Sequence, residues 1–189
     1  MKLLFTSDIH ASRNHLAALL SVAGKNGLNC IIIGGDIVPH DLPRENRVGL
    51  IKAQGEYLAA EFIPTIRAFK ERNPDTLIFL DMANDDFIWN RQILEAREGH
   101  LFSLLHMKVQ RLTDQVDIAG CMTVPVTPFM IKDWEKPDTN EHPIPGTNAS
   151  LNGYSSISGK REKQRMNPSS DDTIANDLAL LSEKIIRPF

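Results

Sequence analysis

Three short apolar runs dominate the hydrophobic pattern in the first half of the chain. They occupy residues 2–7, 29–35 and 76–81, are rich in Leu, Ile and Phe, and are bounded by glycine or polar residues. Uninterrupted apolar runs of this length are typical of strands that are buried on both faces of a sheet. The pattern therefore predicts three buried strands.

The segments between these runs have helical periodicity. Residues 15–24 carry apolar side chains at helical spacing and end in Gly24, and residues 45–72 have the same spacing around Pro64. Glycine is common just past helix ends, and an internal proline kinks or breaks a helix. Strands that alternate with helices predict an α/β fold, in which helices cover a parallel sheet through right-handed crossovers.

The second half of the chain has a weaker pattern. We expect a helix over residues 85–98, a strand pair that involves residues 116–122, and a final helix over residues 173–184. Residues 136–172 are crowded with Pro, Gly, Ser, Asn and Thr and include the charge run 160–165. This composition predicts a long loop, either a functional lid or a mobile segment.

The overall composition is that of an ordinary globular protein. The chain has 189 residues, of which 42% are hydrophobic and 24% charged, so we expect one domain over residues 1–189. A net charge of -3 gives no indication of a dedicated nucleic-acid partner. No apolar run is long enough to cross a bilayer, and no targeting segment is evident. Two distant cysteines favour reduced thiols and a cytoplasmic location.

Polar side chains follow each of the three predicted strands. Asp8 and His10 follow the first, Asp36 follows the second after two glycines, and Asn84 and Asp85 follow the third. The carboxyl ends of parallel strands lie at one edge of a sheet, so we expect these side chains to converge. In an extended segment, residues two apart face the same way, so Asp8 and His10 could share one ion.

Such a donor set suits Mn, Fe, Zn or Mg and discriminates poorly among them. Two divalent ions can hold a hydroxide between them and neutralise charge on a phosphate, which makes phosphoester hydrolysis the natural use. The alternatives are structural. Asp36 could be an ordinary turn aspartate, and residues 84–86 could cap a helix with Asp85 or Asp86.

These motifs also carry a family resemblance. In this order at strand ends, DIH, GGDIVPHD and ANDD resemble the aspartate-x-histidine, glycine-aspartate and glycine-asparagine-histidine motifs of the calcineurin-like metallophosphoesterases. The segment TPFMIKDWE is similar to a segment in predicted members of that family. The resemblance implies a layered α/β sheet with flanking helices and hydrolysis of a phosphomonoester or phosphodiester by metal-activated hydroxide. It implies that Asp8 and His10 bind the first of two metals, that Asp36 bridges, and that Asn84 binds the second.

Two departures from the family pattern bear on activity. Asp85 stands where the family has a histidine that orients the phosphate or protonates the leaving oxygen, so it is our candidate catalytic residue. The family's later glycine-histidine-x-histidine motif does not occur in this sequence. We therefore expect an incomplete fold, the amino-terminal portion of a longer family sequence, with weak or no hydrolysis by this chain.

Three further expectations complete the sequence interpretation. His40 follows the bridging aspartate closely, so we expect it to contact the phosphoester substrate at the mouth of the site, with a solvated loop position as its alternative. Uncovered apolar strands predict a homo-oligomer. A noncatalytic binding or scaffold module that keeps the same fold but has lost its metals is the main rival function. A nucleotide-binding doubly wound domain is weaker, because no phosphate-binding glycine loop is present.

Overall fold

A four-stranded parallel sheet forms the centre of the protein. The computed structural model describes residues 1–41, 49–139 and 149–185. The sheet has the order β1 (Leu3–Thr6), β2 (Cys30–Ile33), β3 (Leu77–Leu80) and β4 (Ser103–Leu104). All neighbouring strands are parallel. The three predicted strands are confirmed, but only β2 and β3 are largely buried, because β1 is an edge strand with alternate exposed residues. Strand β4 was not predicted because two residues are too few to show a periodic pattern.

The first half of the chain supplies the covering helices. They are α1 (Arg13–Lys25), α2 (Leu50–Tyr57) and α3 (Ile63–Arg72), and a π-helical turn (Leu58–Phe62) joins α2 to α3. Pro64 lies in the first turn of α3. Because proline has no N–H and its ring clashes with the carbonyl four residues earlier, a wider turn before it lets the helix continue without a break. None of the helices in the described part of the chain has the length and apolar character needed to cross a membrane.

The two faces of the sheet are covered unequally. On one face, Ile31, Ile33 and Leu80 are fully buried in a core that also takes in the apolar sides of α1, α2 and α3. On the other face, Cys30 and Phe79 pack with side chains of the following antiparallel pair, β5 (Lys108–Arg111) and β6 (Asp117–Gly120). Strand β1 lies at the sheet edge, and its Leu3 and Phe5 side chains are exposed.

The prediction of one long loop over residues 136–172 is wrong. A β-hairpin occupies much of it, formed by β7 (Asn152–Ile157) and β8 (Lys160–Arg165). Ser158 and Gly159 connect the strands with φ of 50° and 75°. Positive φ at both central residues is the geometry of the two-residue turn that matches the twist of a hairpin. The charge run is therefore a strand, and residues 140–148 of the predicted loop lie outside the described residues.

The two helices expected in the second half have different outcomes. Helix α5 (Ile174–Lys184) is confirmed, and the Thr173 side chain caps it by accepting the N–H of Asn176. The helix expected over residues 85–98 is reduced to a 3-10 turn (Ile88–Asn90) and a short α4 (Arg91–Glu95). Neither Asp85 nor Asp86 caps α4, because that helix begins only at Arg91, with Asn90 at its N-cap position. The Asp86 side chain is instead buried.

Candidate metal centre at the carboxyl edge of the sheet

The loops that follow β1, β2 and β3 meet at one edge of the sheet and are joined by hydrogen bonds. The backbone N–H of Asp8 donates to Gly35 O at 3.3 Å, and that of His10 donates to Asp36 O at 2.8 Å. The backbone N–H of Asp85 donates to Asp36 Oδ1 at 2.9 Å. Asp36 thus lies between the other two loops and contacts both.

Left-handed backbone, rather than the extended segment we expected, brings Asp8 and His10 together. Their φ angles are 55° and 44°, and Asp36 has a φ of 52°. Non-glycine residues in this region cost on the order of 1 kcal/mol or more each and persist only where the surroundings hold them. Here the inter-loop hydrogen bonds and the burial of Ile9 between the two residues hold the turn.

Gly35 allows the second and third loops to approach each other. Its φ is 100°, and a Cβ added there would lie 2.2 Å from the Cβ of Ala83. No side chain fits in that space, so the position requires glycine for both its conformation and its packing. This agrees with the close approach that we expected at the two glycines before Asp36.

Three side chains at this edge form a potential cation site. One donor atom each from Asp8, His10 and Asp36 lies within 4.8 Å of the others. Donors at about 2.1 Å from a tetrahedral ion are about 3.4 Å apart, so the three side chains would have to move closer together to share one cation. The Asp8 side chain is 66% exposed, that of His10 is 24% exposed, and His10 Nε2 lies 3.8 Å from Asp8 Oδ1. The Ser7 hydroxyl donates to Asp8 Oδ2.

The electrostatics of the cluster fit a divalent cation. Burial raises the pKa of Asp36, and the negative charges of Asp85 and Asp8 add to that rise, while the N–H of Asp85 and the charge on His10 oppose it. The Nδ1 atom of His10 is buried and has no hydrogen-bond partner. A cation would offset the charge of the crowded carboxylates. Oxygen and imidazole donors suit the first-row divalent metals that we expected.

Asn84 and Asp85 lie at the same edge, after β3. Both side chains are half-buried, and Asp85 is tied to Asp36 through its backbone. Ligation of a metal by Asn84 stays a prediction. The Asp85 carboxylate is next to the cluster and lines a cavity beside it.

Asp86, which we considered only as a helix cap, holds the site loops together. Its fully buried carboxylate accepts the backbone N–H groups of Ile37 at 3.2 Å, Val38 at 3.1 Å and Ala83 at 2.9 Å. Burial raises its pKa to about 7, and these three donors oppose the rise. A pair of consecutive acids after a strand was the available signal, but only the fold shows which of the two turns inward.

His40 is an exposed residue after Asp36, close to His10, and its contact with a substrate stays a prediction. Its ring centroid is 4.2 Å from that of His10. It also lines a cavity of about 240 Å³ beside the cluster. The cavity is lined by His40, Asp41, Leu50, Asp85, Phe87, Phe129, Met130, Ile131, Tyr154 and Arg161.

The β7–β8 hairpin contributes two side chains to the wall of this cavity. The interpretation of residues 136–172 as a loop gave no indication of them. Tyr154 comes from β7 and Arg161 from β8, and the Arg161 guanidinium lies 4.1 Å from the centre of the Tyr154 ring. The Ser-Gly pair between two polar segments was the only signal for the hairpin. The hairpin therefore adds a wall to the site that the strand-end motifs do not reveal.

Comparison with known proteins gives little further information. No protein family model and no curated protein matches the chain. One solved crystal structure is similar to it at 14% identity and a TM-score of 0.44, over 63% of this chain and 51% of the other. The match thus covers about half the length of that structure, and a likeness at this level carries no conclusion about fold or function.

Proposed function

We propose that this protein is a metal-dependent phosphoesterase with the layered fold of the calcineurin-like family. The observation that supports this most strongly is the convergence of donor atoms from Asp8, His10 and Asp36 within 4.8 Å at the carboxyl edge of a parallel sheet. Open α/β sheets bind their ligands at this edge. Strained backbone at all three residues is also typical of functional sites.

In this proposal the chain's own side chains hold two divalent ions, which are Mn, Fe, Zn or Mg. Asp8 and His10 would hold the first ion, Asn84 would hold the second, and Asp36 would be shared by both. Such ions supply charge neutralisation at the phosphate and a hydroxide nucleophile at neutral pH. The hydrogen bond from the N–H of Asp85 to Oδ1 keeps the Asp36 carboxylate oriented between the other two loops.

Asp85 and His40 serve the substrate in this proposal. Hydrolysis of a phosphoester consumes one water, whose oxygen bonds to phosphorus while the bond from phosphorus to the alcohol oxygen breaks. The alcohol oxygen then takes up a proton. Asp85 and His40 both line the cavity beside the cluster, so we assign proton donation to Asp85 and substrate contact to His40.

Metal binding is the first test. Isothermal titration of chelator-treated protein with Mn²⁺ should show saturable binding, and Asp36→Asn should weaken it by at least about tenfold because one charged ligand is lost. Asp75→Asn is the matched control, since Asp75 is exposed at the opposite end of β3 and loses the same charge. Equal affinity in the wild type and Asp36→Asn would refute the proposed metal site.

Turnover is the second test. With Mn²⁺ at neutral pH, 4-nitrophenyl phosphate and its bis-ester should be hydrolysed slowly, and both Asp36→Asn and added chelator should abolish the reaction. Hydrolysis that persists under either treatment would contradict the mechanism. Absence of both stoichiometric metal uptake and turnover would favour the rival function, a noncatalytic binding module that has lost its metals. The specific observation behind that rival is Asp85, which stands where the family motif has a histidine.

A further inference from the structure

A cavity lies beside the cluster formed by Asp8, His10 and Asp36. The His40 side chain, whose ring is 4.2 Å from the His10 ring, forms part of its wall. Asp85 forms another part and is joined through its backbone N–H to Asp36. A group attached to a phosphate at the cluster would therefore have this cavity next to it.

The rest of the cavity wall is mainly apolar. Leu50, Phe87 and Ile131 are buried and belong to one small hydrophobic cluster, which forms the inner wall. Phe129 and Met130 lie at the outer rim and are 52% and 46% exposed. Large apolar side chains left partly exposed around a concave site indicate that an apolar group covers them.

Two features of the cavity define the group that it fits. Its volume of about 240 Å³ is below the range of about 300 to 1,000 Å³ that is common for drug-sized ligands. Apolar cavities of about 150 Å³ are known to hold benzene, so a single ring fits here. The Phe87, Phe129 and Tyr154 rings line it, and Arg161 orients the Tyr154 ring by lying 4.1 Å from its centre.

We propose that this cavity binds the alcohol portion of the substrate and that this portion carries one aromatic ring. The inference rests on the proposed phosphoesterase function and assigns its substrate class, which is the phosphoester of an aryl-bearing alcohol. The β7–β8 hairpin supplies part of the ring-binding wall, so it determines specificity. In this proposal the phosphate group is bound at the carboxyl edge of the sheet, next to Asp8, His10 and Asp36.

An uncharged alcohol tests the cavity separately from the metal site. Amide chemical shifts of metal-free protein titrated with 2-phenylethanol should move at Ile131 and Tyr154. The affinity should exceed that for 1-propanol by about tenfold, as burial of the additional apolar surface predicts. The double variant Phe129→Ser/Met130→Ser removes the exposed rim and should lower the 2-phenylethanol affinity by about threefold or more.

The matched control is Ile157→Ser, which removes an exposed apolar side chain from the same hairpin outside the cavity and should leave the affinity unchanged. No preference for 2-phenylethanol, or a preference that the rim variant does not reduce, would overturn the inference even in a protein that binds Mn²⁺. Selective alcohol binding in a protein that takes up no metal would instead refute the proposed phosphoesterase and leave the cavity as a ring-binding site. With Mn²⁺, 2-phenylethyl phosphate should be hydrolysed faster than propyl phosphate, and equal rates would overturn the inference.

Discussion

The buried carboxyl group of Asp86 should make the stability of this protein depend on pH. Burial raises its pKa from 3.8 to about 7, against the opposing effect of the N–H donors from Ala83, Val38 and Ile37. Replacement by asparagine keeps the side-chain volume and one acceptor oxygen but removes the ionisable group. The informative quantity is therefore the difference in the free energy of unfolding between the wild type and Asp86→Asn, measured at two pH values.

The sign follows from proton binding. Because the folded-state pKa of Asp86 is above its unfolded value, the folded protein holds more protons between about pH 4 and pH 7, and its stability falls as the pH rises through that window. With the two pKa values of 3.8 and about 7, the free energy of unfolding drops by roughly 2 to 3 kcal/mol between pH 5 and pH 8. The Asp86→Asn variant lacks this contribution at both pH values.

Urea denaturation of metal-free protein at pH 5 and pH 8 measures the effect. The hydrogen bonds that asparagine cannot accept cost the same at both pH values, so that cost cancels in the comparison. Asp75→Asn removes an exposed carboxylate and is the matched control. A wild-type minus Asp86→Asn difference that is equal at the two pH values would show that burial does not raise the Asp86 pKa as described.

Two further predictions concern packing and assembly. Arg91→Met should lower the free energy of unfolding by about 3 to 5 kcal/mol, because the fully buried Asp81 carboxylate would lose a partner that donates from Nε at 2.8 Å and from Nη2 at 2.9 Å. A loss in thermal denaturation below about 1 kcal/mol would show that this ion pair is not needed. Phe5→Ser should reduce self-association in sedimentation velocity without lowering stability, since Phe5 is 61% exposed on the partly covered face of the sheet. If Phe5→Ser leaves self-association unchanged, or if the wild type is wholly monomeric, this face of the sheet does not mediate self-association. The control is Phe129→Ser, which removes another exposed aromatic ring.

Much of the first half of the fold was predictable because buried parallel strands have a recognisable pattern of consecutive apolar residues. A strand covered on both faces needs apolar residues at consecutive positions, and such runs mark β2 and β3 within a few residues. Strand β1 has the same pattern, although its Leu3 and Phe5 side chains are exposed. Polar residues directly after these strands must lie at one edge once the strands are parallel. The placement of Asp8, His10 and Asp36 near one another followed from that topology.

The second half was less predictable for an equally physical reason. Strand β8 contains Lys, Arg, Glu and Gln side chains, so it shows no apolar face, and its position depends on pairing with β7 and on the Ser158–Gly159 turn. Strand β4 has only two residues and exists because β3 offers a free edge. Neither strand has a local pattern strong enough to be recognised alone.

Sequence alone determined the alternation of strands and helices and the kinds of side chain at each strand end, because these depend on residues close together in the chain. Tertiary structure decided the left-handed turns that orient Asp8 and His10. It also decided the buried position of the Asp86 carboxylate, which accepts hydrogen bonds from two of the site loops, and the aromatic side chain that the hairpin adds to the cavity wall. Those features arise from contacts between segments separated by about 25 to 80 positions in the chain. The energy of such contacts depends on which atoms the complete fold brings within reach, and no local pattern encodes it.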